Sequence, residues 1–105
     1  MPNKQNLTLT VSATSQTALL PPRCVAVVLR ALETNAATSY FQFNSPTATT
    51  GDSRLRVSET LAIDYTDMLQ LKVLIGEDLN DNDFMRCISY VGNAADVILV
   101  EAFTL

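Results

Sequence analysis

The chain has 105 residues, of which 48% are hydrophobic and only 17% charged, with a net charge of −4 and no histidine. At ~100–200 residues per unit this is one domain, long enough to bury above ~60% of its unfolded surface and to hold a core without staples. The missing histidine excludes Ser-His-Asp and Cys-His catalysis, histidine-ligated metals and a histidine pH switch. The acidic balance offers no basic stripe to nucleic-acid phosphates, so no nucleic-acid partner is expected.

Residues 1–6 are polar and no apolar stretch of signal-peptide type follows them, so they read as a flexible N-terminal arm, not a leader. Residues 7–13, LTLTVSA, alternate apolar and hydroxylated side chains, the mark of a strand with one wet face. Much of the abundant threonine, twelve in all, sits on such faces and in loops. Pro21 and Pro22 donate no ladder hydrogen bonds and mark a connection or the start of a strand. Residues 24–29, CVAVVL, form a continuous apolar run of strand length. The run is far short of the ~20 residues of a membrane span, and no membrane partner is expected.

Residues 33–38 read as a connection, and Tyr40-Phe41-Gln42-Phe43 as a short strand with Phe41 and Phe43 on one face. Residues 44–53 are small and polar, rich in turn formers, and read as an exposed loop. Leu55 and Val57, then Leu61, Ile63 and Tyr65, alternate with polar or small neighbours. Residues 68–75 read as a strand with Leu69, Leu71 and Val73 on one face; residues 60–71 are the nearest competitor for a helix. An acidic, amide-rich loop over residues 77–83 precedes strands over residues 84–91 and 96–103, separated by a Gly92-Asn93 turn. Residues 93–96 are a weaker candidate for a short helix. Seven or eight short strands between turn signals predict an all-β fold, an antiparallel, jelly-roll-like β-sandwich over residues 7–105.

Two strands depart from simple alternation. Val25, Val27 and Leu29 oppose Cys24, Ala26 and Val28, and Val97 and Leu99 oppose Ile98, Val100 and Ala102, so both faces are apolar. A sheet with one solvated face alternates apolar and polar residues. A second cover is therefore expected, either another subunit in a closed ring such as a trimer or flanking loops.

No candidate chemistry is strong. Asp78, Asn80 and Asn82 match the first three ligand positions of an EF-hand-type loop, but Asp83 stands in place of the turn glycine and Ser89 in place of the bidentate glutamate. A solvated acidic loop is the better reading, with a calcium site of non-EF type as the alternative. Glu59, Asp64, Asp67 and Glu101 are carboxylates without an evident pairing. Glu101 shares a face with Val97, Leu99 and Phe103 and reads as a partner for Arg23, Arg30 or Arg86 within the fold or across an interface. Cys24 and Cys87 read as buried thiols, a disulfide between them being the alternative. Neither a G-x-S-x-G nor an S-x-x-K arrangement occurs, and three glycines cannot make a phosphate loop. The chain is not expected to be an enzyme or to carry a cofactor or metal. Tyr40, Phe41 and Phe43 read as a core strand, with a sugar-stacking surface as the alternative.

A Thr-rich opening strand is followed by a proline loop and by Arg23 before a hydrophobic strand. The aromatic strand at 40–43, the Gly51-Asp52 loop, Glu59-Thr60-Leu61 and a paired ending around Gly92-Asn93 complete the order. This order resembles the small β-sandwich virion proteins of tailed bacteriophages, which serve as capsid decoration (cement) proteins or as modules of head and tail fibres. The resemblance implies a virion structural protein on the capsid surface, a homotrimer seated on the major capsid protein, with its last two strands forming a hairpin. The expected oligomer or capsid interface comprises Cys24, Ala26, Val28, Ile98 and Val100, with Arg54 and Arg56. Pro2, Asn3, Lys4, Gln5 and Asn6 form an arm expected to order only on the capsid. A fibre module that binds a receptor or carbohydrate, and a small cellular β-sandwich adaptor, are the alternatives.

Overall fold

The computed structural model describes residues 3–105. The elements run β1 (Asn3–Thr10), β2 (Gln16–Ala31), β3 (Ser39–Phe43), β4 (Ser53–Leu55), β5 (Thr60–Asp64), α1 (Thr66–Leu74), a 3-10 turn (Asp81–Asp83), β6 (Met85–Val91) and β7 (Val97–Thr104). Every strand pairing is antiparallel, in the order β1-β7-β2-β6-β3-β4, with β5 also on β2. The all-β class expected from the alternation is what the chain adopts.

The 16-residue β2 organises both layers. Its first part, from Gln16 to Leu19, pairs with β6. Its second part pairs with β7 on one side and β5 on the other. One layer is thus β1, β7, the second part of β2, and β5; the other is the first part of β2 with β6, β3 and β4. The core lies between them. Leu9, Leu29, Ile98 and Val100 from the first layer pack in one cluster with Phe41, Leu55, Ile88 and Tyr90 from the second. Phe41 meets Phe43 edge-on at 5.7 Å, so these aromatics belong to the core strand that their spacing indicated.

Pro21 and Pro22 do not end a strand; β2 runs through them. Between Leu19↔Cys87 and Cys24↔Met85 the β2 side carries four residues and the β6 side one, so the ladder is interrupted where the prolines have no N–H to give. Arg23 takes up the turn with a left-handed φ of 59°, its guanidinium 5.4 Å from the centre of the Phe84 ring. A second irregularity leaves Val25 unpaired between Cys24↔Thr104 and Ala26↔Phe103. This shift turns Cys24 into the core while Ala26 and Val28 face outward.

Several expectations need correction. Asn3, Lys4, Gln5 and Asn6 are not a free arm: they pair with Thr104, Phe103, Ala102 and Glu101 as the first half of β1. Ladder pairing uses backbone groups alone, which a polar side-chain sequence does not forbid. Pro2 lies outside the described residues. The segment read as a strand over 68–75 is mostly helix α1. The last two strands do not form a hairpin, because β6 and β7 flank β2 on opposite sides. The link between them is held instead by residues 11 and 12: Gly92 N–H donates to Ser12 at 3.0 Å, Ala95 N–H to Val11 at 3.0 Å, and Val11 N–H to Asp96 at 2.8 Å. A side chain on Gly92 would sit 3.0 Å from Val11 Cγ1 and 3.2 Å from the Ser39 backbone, so a larger residue at this crossing would press on both. Residues 93–96 form turns, not a helix.

Candidate interaction surfaces

Two surfaces stand out, and both follow from the ends and faces of β2. The first is α1. Tyr65 N–H donates to Val25 at 2.8 Å, tying the start of the helix to β2. The Asp64 carboxylate accepts the Thr66 N–H at 2.6 Å and lies below the ordinary carboxylate range because Thr66 donates to it. Met68, Leu69, Gln70, Leu71 and Lys72, none of them branched at Cβ, are strong helix formers. Gly76, in the left-handed region at φ 82°, ends the turn with its N–H on Val73.

A helix on a domain surface normally buries an apolar stripe and wets the rest. Here only Leu69 is buried, against Val25 and Phe84, while Met68, Leu71, Val73, Leu74 and Ile75 are exposed, Leu74 by 82%. Val73, Leu74, Leu79 and Leu105 line an adjoining groove of about 420 Å³ floored by Val25 and Leu69. The lone basic side chain of the helix, Lys72, pairs with Asp83.

The second surface is the outer face of the first layer. Cross-strand partners share a face, and the register defines its rows. Lys4, Phe103, Ala26 and Asp64 form one row; Asn6, Glu101, Val28 and Ala62 the next; Thr8, Leu99, Arg30 and Thr60 the third. Val28, Leu99 and Phe103 are half-buried in the middle strands, and Arg30 and Glu101 are exposed. The sequence placed Glu101, Val97, Leu99 and Phe103 on one face correctly. The proposed interface residues were partly on the wrong side: Cys24, Ile98 and Val100 are core, and only Ala26 and Val28 face out. Arg54 sits on β4 opposite Tyr40, whereas Arg56 lies beyond the strand end, its N–H on Glu59 at 2.9 Å.

Two of the remaining carboxylates are used structurally. Glu59 and Asp64 accept turn N–H groups. Asp64 and Glu101 sit on strands that flank β2 on opposite sides, roughly two strand spacings or 9–10 Å apart, too far to share a proton. In the acidic loop, Asn80 accepts the Asn82 N–H at 2.9 Å and Asp83 accepts the Asn80 N–H at 2.9 Å while bonding Lys72. Two of the loop's oxygen carriers are thus engaged within it. Among the described residues no group of three or more acidic or Cys side chains is arranged to hold a metal. Cys24 and Cys87 are both free thiols, and burial pushes the Cys24 thiol up. Arg23 and Arg86 line a shallow cavity of about 310 Å³ beside Pro21, Pro22 and Phe84.

The exposed loop over 44–53 is tied down in its first half. Asn44 donates to Phe84 at 2.9 Å and accepts from Arg86 N–H at 2.6 Å, Thr17 donates to Pro46 at 3.0 Å, and Ala48 N–H donates to Ser15 at 2.8 Å. Sequence reasoning missed the α1 surface altogether. The signal that could have found it is the Asp64–Thr66 turn followed by five helix formers without β-branching. No protein-family model matches the chain, and no curated protein or solved structure is significantly similar to it.

Proposed function

We propose that the protein is a structural protein of a phage virion, a capsid decoration protein that binds the outside of the shell as an oligomer, acting by contact and not by catalysis. The observation that carries this reading is the uncovered apolar surface of α1 and its groove. Full burial of a large apolar side chain contributes about 1.5–3 kcal/mol. Covering the exposed half of Met68, Leu71, Val73, Leu74 and Ile75 then supplies roughly 1 kcal/mol each, about 5 kcal/mol per site. Many symmetry-related copies on a shell convert such modest sites into tight overall occupancy. The aromatic residues Phe41 and Phe43 are committed to the core strand, which favours decoration over a sugar-binding fibre module.

The reading is tested by co-sedimentation with capsids assembled from the major capsid protein of the same virus. Wild-type protein sediments with the shells, and Leu74→Lys or Met68→Lys abolishes this with the melting temperature unchanged. Wild-type protein that stays in the supernatant at saturating shell concentration overturns the reading.

A further inference from the structure

We infer that copies of this chain associate through the outer face of β1, β7, the second part of β2 and β5, with Arg30 of one copy set against Glu101 of the next. This deepens the oligomeric part of the reading above and rests on it. Three observations carry it. The middle of the face is apolar, with Val28, Leu99 and Phe103 half-buried and, among the described residues, no helix or strand packed broadly across them.

The charges are self-complementary. Lys4 and Arg30 stand against Asp64 and Glu101, so the face is formally neutral on a chain of net charge −4. Two copies therefore meet there without the repulsion that the rest of the surface brings. Arg30 pairs in register with Leu99, and Glu101 with Val28, which puts the two charges diagonally on adjacent strands at either side of the apolar strip. Neither forms an ion pair with another described residue. A copy turned to face this surface presents Glu101 to Arg30. Each copy holds both members, so a two-fold makes the contact twice and a closed ring makes it once per copy.

The area is sufficient. Four strands at ~4.8 Å spacing and some five to eight residues at ~3.4 Å give about 400–500 Å² of face per copy, hence roughly 1,000 Å² for two. That is about the threshold of a specific interface.

The experiment is sedimentation equilibrium of the full chain at micromolar concentration, with circular-dichroism melts to confirm folding. The expected result is an oligomer for wild type, monomers for Arg30→Glu and Glu101→Arg, and a restored oligomer for the double reversal Arg30→Glu/Glu101→Arg. A monomeric wild type overturns the inference. So does an oligomer that survives both single reversals; in that case co-sedimentation with shells still decides the decoration reading separately. Restored association in a double reversal whose wild type ignores shells upholds the interface and removes the capsid.

Discussion

Asp96→Ala is the substitution whose cost the structure specifies best. Asp96 is buried at the start of β7, and its carboxylate accepts the N–H groups of Ala36 and Ala37 at 2.9 and 3.1 Å. Beside it, Asn35 acts as a surrogate strand residue: it donates to Val97 C=O at 2.8 Å and accepts Val97 N–H at 2.9 Å. Together they pin the connection after β2 to the strand that β2 pairs with. Hydrogen bonds to a charged group contribute about 1.5–3 kcal/mol each. Both donors belong to exposed residues that water can reach after the change, so the lower end applies, about 3 kcal/mol in all. Against a total of about 5–15 kcal/mol this is a large fraction. At about 4–8 °C per kcal/mol for a domain near this size, the midpoint falls by roughly 10–25 °C. The chain has no tryptophan, so the assay is urea unfolding followed by backbone circular dichroism. Asp96→Asn, which keeps one acceptor, falls between wild type and Asp96→Ala. An Asp96→Ala protein within about 0.5 kcal/mol of wild type refutes the reasoning.

Ala95 is held at φ 72°, where a Cβ costs about 1–2 kcal/mol, so Ala95→Gly raises the unfolding free energy by up to about 1 kcal/mol in spite of the added chain entropy, read as a higher urea midpoint; a lower midpoint contradicts this. The buried hydroxyl of Ser39 has no hydrogen-bond partner among the described residues, so Ser39→Ala is neutral or stabilising in a thermal melt, and a loss beyond ~1 kcal/mol would point to a missed partner. The Lys72–Asp83 pair gives a pH signature. The ammonium donating to Asp83 holds that carboxyl below the ordinary range, and the same bond holds Lys72 above its own. The stability difference between wild type and Lys72→Met is therefore flat from ~pH 5 to ~pH 9. It shrinks as pH falls below the unfolded aspartate value of ~3.9 through the folded value of Asp83, and as pH rises beyond ~10.4 through that of Lys72. A difference still undiminished at ~pH 2 rules the pair out as its source.

What the sequence made legible is what side-chain alternation encodes. Phe41 and Phe43 share a face in the core layer, Val27 and Leu29 point inward, and Glu101 shares its outward face with Leu99 and Phe103. Alternation failed where another physical rule took over. Leu69, Leu71 and Val73 fit period two as well as a short helix does, and only Leu69 is buried, so no apolar stripe marks α1. Pro21 and Pro22 sit where the ladder is already interrupted, and their usual strand-breaking meaning does not apply. Asn3 to Asn6 join β1 through backbone groups that side-chain composition does not report. The facing of residues 24–26 depends on a bulge at Val25, and one extra residue moved Cys24 from the expected interface into the core. The connectivity of β6 and β7 on either side of β2 is a long-range choice that no local window contains.

The proposal that this domain coats a capsid is tested most directly by cryo-electron microscopy of virions with and without the protein. The account predicts difference density on the outer surface of the shell, at junctions between capsid subunits, fitted by an oligomer with α1 toward the shell. Density confined to a tail or fibre, or particles identical in both preparations, would contradict it.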